Sequence, residues 1–259
     1  MTRCSLYAVC AWAALVIAGC ASTEESVGSG LWHYNAGLYP QAALRLIRSV
    51  PELERSSPAD PRVLSGYLAL GRMASADRAF EPASNYYKKA MQVARTHHSA
   101  DTTLTRNALV ETGLFFAGRD QFADAVPLLQ EAVGISQRDT TVPRMLYAID
   151  LDNLAMAQSG AKNFALASSN SNRSLQVLDG LSPTKEVQAT RGVVLYNRAF
   201  ALAEQGQVDA ADSTYRESLA LITANAEAWR RKVVVANYAK FLRTLGRESE
   251  AKAVEGAAQ

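Results

Sequence analysis

The chain has 259 residues with 27 basic and 25 acidic side chains, and its formal charge of +2 gives no electrostatic footprint for nucleic acid. Hydrophobic residues make up 48% and charged residues 20%, which excludes a disordered tail and provides for a buried core. Ala 45, Ser 21 and Gly 15 suit closely packed helices, and the cysteines, Cys4, Cys10 and Cys20, fall in the first twenty residues, excluding a disulfide framework or a cysteine metal cage in the body.

Met1 to Arg3 form a short basic segment and Leu6 to Ala18 an apolar run too short for a comfortable permanent span, so residues 1–19 read as a secretory signal. Ile17-Ala18-Gly19-Cys20 resembles the lipobox of bacterial lipoproteins, and that resemblance implies Cys20 as the acylated first residue of the mature protein. An uncleaved signal anchor is the other reading. Ala21 stands where the inner-membrane retention signal of such lipoproteins usually places Asp, which implies the periplasmic face of a Gram-negative outer membrane. The polar residues that follow, up to position 29, are expected to be a flexible tether of about 15–20 Å reach.

From residue 30 to 259 the sequence repeats. Alanines recur at Ala42, Ala83, Ala125, Ala167, Ala211 and Ala251, spaced by 41, 42, 42, 44 and 40 residues. Three residues before them stand Tyr39, Phe80, Phe122, Phe164, Val208 and Glu248. Twelve before them stand Gly30, Gly71, Gly113, Ala155, Ala199 and Ala239, and seven after them Ser49, Ala90, Ala132, Ser174, Ser218 and Ala258, all small. Such columns fit two antiparallel helices per unit, crossing where a larger side chain would hold the backbones apart. Units are expected at about 30–60, 61–100, 101–140, 141–181, 182–223 and 224–259, with turns five to seven residues before each anchor alanine and helix starts at Asp60-Pro61 and Ser182-Pro183.

Tyr67-x2-Leu70-Gly71 with Phe80-x2-Ala83-x3-Tyr87-x2-Ala90, and again Phe122-x2-Ala125-x3-Leu129-x2-Ala132, resemble the tetratricopeptide repeat. The spacing exceeds the usual period of about 34 residues and is similar to the longer repeats of the kinesin light-chain type; HEAT-like repeats share the period but lack the aromatic and small-residue signature. The resemblance implies an all-α, right-handed superhelical solenoid of about six helical hairpins, a single array with a truncated leading helix after Gly30.

Little in the sequence carries chemistry. His97 and His98 are neighbours, which places them on different sides of a helix and argues for solvated residues near a helix carboxyl end rather than a metal site. Ser182-Pro183-Thr184-Lys185 matches an S-x-x-K pattern but reads as a helix cap, and the acids Asp150 and Asp152 show no sequence sign of desolvation. No cofactor, metal site or catalytic residue is expected, and the chain reads as no enzyme. One column points elsewhere: Asn153, Asn197 and Asn237 recur on leading helices whose equivalent face, in the repeats this chain resembles, lines a concave groove for an extended peptide. An amide offers donor and acceptor together, which suits a peptide group; solvent exposure or helix-to-helix hydrogen bonding is the alternative. Arg72, Asn107, Glu111, Asp152, Tyr196, Phe200, Lys240 and Arg243 are expected on the same face. The function expected is that of an interaction scaffold, held to the membrane at Cys20, for a peptide or protein partner in envelope assembly. Pilus secretin, outer-membrane protein and cell-wall machinery are equally open, and the alternatives are an envelope enzyme or small-ligand receptor with a concave site, or a structural oligomer.

Overall fold

The computed structural model describes residues 22–256, so the expectations for residues 1–21, Cys20 among them, and for Ala258 lie outside the described residues. The described residues form twelve α-helices: α1 Thr23–Asn35, α2 Tyr39–Ser56, α3 Pro61–Ala76, α4 Phe80–His97, α5 Thr102–Ala117, α6 Phe122–Arg138, α7 Arg144–Gly160, α8 Phe164–Asp179, α9 Lys185–Glu204, α10 Val208–Asn225, α11 Ala228–Thr244 and α12 Glu248–Gly256. None is long and apolar enough to cross a membrane. The chain divides between Ala108 and Leu109, inside α5, into two compact units where the sequence suggests one array.

The tether is the first correction. Gly28, Ser29 and Gly30 are poor helix formers, yet residues 23–30 are helical, so the leading helix of the first hairpin begins seven residues before Gly30, although at 13 residues it is still the shortest leading helix. Ser22 and Glu25 make a capping box, the Ser22 hydroxyl accepting from the Glu25 N–H at 3.1 Å and the Ser22 N–H donating to Glu25 Oε2 at 2.9 Å. Val27 and Gly30 are buried, and a Cβ on Gly30 would lie 2.7 Å from the Leu46 side chain. Tertiary packing thus overrides weak propensity.

In the first unit α1 pairs with α2 and α3 with α4, and α1 and α2 both pack on α3. Arg62 ties leading helix to leading helix: it holds the cap residue Asp60 at 2.6 Å and reaches Glu24 of α1 at 2.8 Å. His98 is a second correction, being 7% exposed, with its carbonyl accepting from the Thr105 hydroxyl at 2.8 Å. In the second unit α7 pairs with α8, α9 with α10 and α11 with α12, while α7 also packs on α9.

Each column of the sequence has a structural duty. The anchor alanines are at most 1% exposed, and the third column is buried from Ser49 to Ser218. Its serines add specificity: Ser174 donates to the Ala148 carbonyl at 2.8 Å and Ser218 to that of Gly192 at 2.7 Å, each joining the two helices of its hairpin. Tyr39, Phe80, Phe122, Phe164, Val208 and Glu248 are the first residues of their helices. From there the Phe122 ring fills the space beside Gly160, where a Cβ would come within 2.2 Å of it, and Phe164 meets Phe200 edge-on at 6.2 Å. All six turns place one left-handed residue five before the anchor alanine, namely Gly37, Arg78, Asp120, Lys162, Gly206 and Gly246. The next residue's N–H reaches back to the carbonyl five before it, as Gln207 does to Leu202 at 3.0 Å, which closes the helix as a Schellman motif. Asp60-Pro61 starts α3 as expected, but the cap of α9 is Thr184, whose hydroxyl accepts from the Val187 N–H at 3.2 Å, rather than Ser182.

Candidate binding cleft

The second unit opens a cleft of about 790 Å³ between the leading helices α7 and α9, lined also by the segment joining α10 to α11. Ile149, Asp152 and Asn153 of α7 face Ala189, Thr190 and Val193 of α9, while Asn225, Glu227 and Arg230 form the third side. Both helices present these residues because their opposite stripes, Leu151, Leu154 and Ala155 in α7 and Val194, Leu195 and Ala199 in α9, are buried in the hairpin cores.

Asp152 is the electrostatic centre. It is 8% exposed, and the Asn197 side-chain amide donates to both carboxylate oxygens at 3.0 Å. Burial pushes the carboxyl up to about 6, and the hydrogen bond from Asn197 opposes that rise. Asn153, beside it, is half-buried in the cleft. The rim carries exposed Lys185 and Glu186 from the first turn of α9. Arg230 donates to Glu227 at 2.9 Å and lies over the Trp229 ring at 4.7 Å. That hydrogen bond, with the charges of Arg230 and Lys185, holds the Glu227 carboxyl below its ordinary range. The cleft therefore offers an amide with donor and acceptor, a desolvated acid able to accept or, when protonated, donate, and rim charges of both signs.

Of the expected groove residues, the structure brings Asp152, Asn153 and Asn197 together, and Asn197 serves by orienting Asp152 rather than by lining the cleft. Asn237 departs from the ladder, since its amide donates to the Val233 carbonyl of its own helix at 2.9 Å. Arg243 is taken by the last helix, meeting Glu255 at 2.7 Å and Glu248 at 3.1 Å, which reassigns it from partner contact to closing the final hairpin. Lys240 is exposed on α11. Tyr196 and Phe200 are half-buried and spent on packing, Tyr196 against Tyr215 at 6.4 Å and Phe200 against Phe164. In the first unit Arg72 lies 5.7 Å from the Tyr34 ring centre and lines a separate 510 Å³ pocket with Tyr34 and Tyr39, and Asn107 accepts from Arg106 at 2.9 Å. Glu111 is half-buried on α5. Asp150, the other acid of the pair, is 1% exposed and accepts from the Ser136 hydroxyl. Sequence reasoning missed Lys185, Glu227 and Arg230 as a group, because they sit at hairpin junctions that follow no column. Among the described residues, no group of three or more His, Cys, Asp or Glu side chains is placed to hold a metal ion.

No family model matches the chain, and no curated protein matches it in sequence. Solved structures do match. The chain is similar to BtubC (BKLC) of P. vanneervenii with a TM-score of 0.65 at 15% identity over 92% of this chain and 90% of that one. It is similar to a kinesin light-chain protein of Podosopora anserina with nearly identical TPR-like repeats, with a TM-score of 0.61 at 15% identity over 78% and 93% of the two chains. A third is the quorum sensor NprR of B. thuringiensis, with a TM-score of 0.66 at 12% identity over 98% and 69%. The fold is all-α and built from TPR-like repeats.

Proposed function

We propose that the protein is a membrane-attached interaction scaffold whose α7–α9 cleft binds an extended segment of a protein partner. The observation that carries this reading is the pairing of Asn153, a peptide-matching amide, with the Asp152 carboxylate that Asn197 holds, in an open cleft with charges of both signs at its rim. The TPR-like fold supports it, because stacked hairpins present side chains of successive leading helices to one ligand. Attachment is through acyl chains on Cys20, and the residue after it, Ala21, supports the periplasmic face of an outer membrane; the process served is envelope assembly.

The partner reading is tested by selecting peptides that bind the full chain from a display library and measuring their affinity for variants of matched melting temperature. Asn153→Ala removes a donor and an acceptor and is expected to weaken binding by roughly tenfold, at about 0.5–1.5 kcal/mol for each hydrogen bond, while Asn237→Ala leaves it unchanged. Selected peptides indifferent to Asn153→Ala, Lys185→Ala and Arg230→Ala would remove the cleft from this role. For the anchor, Cys20→Ala is expected to abolish incorporation of labelled fatty acid, and label retained in that variant would overturn the assignment.

A second reading, a receptor for a small cationic ligand, is favoured by one feature, the buried carboxyl of Asp152 raised to about 6. A ligand that pairs with this carboxylate would bind more weakly below about pH 6, and calorimetry with small amines at two pH values separates the readings.

A further inference from the structure

The first hairpin breaks the pattern of its own repeats on the outer face of α2. Leu44 and Ile47, two and five residues after the anchor Ala42, are 79% and 55% exposed. The equivalent pairs in the next four repeats are Asn85 and Lys88, Pro127 and Gln130, Ser169 and Asn172, and Ser213 and Arg216, all exposed and, Pro127 aside, all polar. Solvation accounts for those residues but not for a leucine and an isoleucine. Arg45 and Arg48 follow them directly in the chain, and Arg55 lies two turns further along α2, all exposed. Arg48 meets Glu52 at 3.4 Å, but its side chain stays 85% exposed, and Glu54 is turned away toward Tyr67 at 2.6 Å and Lys89 at 3.6 Å. Exposed apolar side chains with arginines beside them on one helix fit a helix lying in a lipid interface.

The chain before this hairpin supplies the second argument. The apolar run Leu6 to Ala18 and Cys20 come shortly before the cap residue Ser22, with Ala21 alone between Cys20 and Ser22, and α1 begins three residues after Cys20. Because Gly30 lies against Leu46, α2 runs back along α1, and Ile47 is level with about Ser29, about 9 Å along the axis from the start of α1. We propose that the first hairpin docks on an anionic phospholipid surface, inserting Leu44 and Ile47 while Arg45 and Arg48 meet lipid phosphates. This rests on the membrane attachment proposed above and extends it from a point anchor to a defined face.

The test binds the full chain to vesicles of phosphatidylethanolamine and phosphatidylglycerol and maps side-chain oxidation by hydroxyl radicals, with Leu166 of α8, 57% exposed, as internal reference. Oxidation of Leu44 and Ile47 is expected to fall several-fold relative to Leu166 in the vesicle-bound chain. In the mature chain, residues 20–259 with Cys20→Ser, which carries neither acyl chains nor the apolar run Leu6 to Ala18, Leu44→Asn with Ile47→Asn, polar and uncharged, is expected to lower vesicle partition by roughly tenfold per side chain with helicity intact. Unchanged oxidation ratios in the floated chain overturn the docking, as does partition indifferent to the double substitution. Fatty-acid label retained in the Cys20→Ser chain overturns the acyl anchor instead, and the footprint of the floated parent chain still decides the docking.

Discussion

Burial raises the Asp152 carboxyl to about 6, and that fixes the sign of its effect on stability. Below about pH 4 the group is protonated in both the native and unfolded chain and contributes nothing. Between about pH 4 and pH 6 the unfolded chain has released a proton that the native one retains, so stability falls as pH rises; above about pH 6 the full penalty, about 3 kcal/mol at most, is present. Asp152→Asn keeps an acceptor for the Asn197 amide and is expected to raise the melting temperature at pH 7.5 and leave it unchanged near pH 4. An equal gain at both values would mean that desolvation of the charge is not the cause. The position of Asp152 on a leading helix was legible from the repeat register, but its burial was not, because that depends on how closely Asn197 of the next leading helix approaches. His98 failed in the same way: a histidine next to a helix end reads as solvated until the packing of α4 is known.

Turns and small-residue columns govern the elements. Three of the six hairpin turns place Gly at the left-handed position, and the others place Arg78, Asp120 and Lys162 there, at φ of 58°, 57° and 61°. A branched or long side chain in that conformation costs about 1–2 kcal/mol, and Asp tolerates it better than Arg or Lys. Lys162→Gly is therefore expected to raise the unfolding free energy by about 1 kcal/mol and Gly206→Ala to lower it by a similar amount, both measured as shifts in urea midpoint at constant slope. The serine column makes a separate prediction. Ser174→Ala removes a buried donor to the Ala148 carbonyl and should cost about 1 kcal/mol, and a neutral outcome would mean that the carbonyl finds another donor. These features were readable because a repeat exposes its geometry several times over. The start of α9 was not, since Ser182-Pro183 and Thr184 offer competing caps and only the Thr184 hydroxyl reaches a free N–H. Nor was α1, where burial of Val27 and Gly30 outweighs the glycines.

At the scale of the whole molecule, a stack of hairpins gains its stability from nearest neighbours, so damage should stay near its source. The chain divides inside α5, with Leu64 and Leu109 both fully buried but in different units. Periodicity could not show that division, because the anchor spacing runs through it unchanged at 42 residues between Ala83 and Ala125. Leu64→Ala leaves a cavity in the first unit and is expected to cost about 2–5 kcal/mol there. Hydrogen exchange followed by mass spectrometry should then show faster exchange in α1–α4, while the amides of α7–α12 keep their protection. The mirror experiment, Leu242→Ala in the core where Tyr215 and Tyr238 stack at 5.1 Å, should deprotect α9–α12 and spare α1–α4. Loss of protection along the entire chain from either substitution would show that the two units unfold as one.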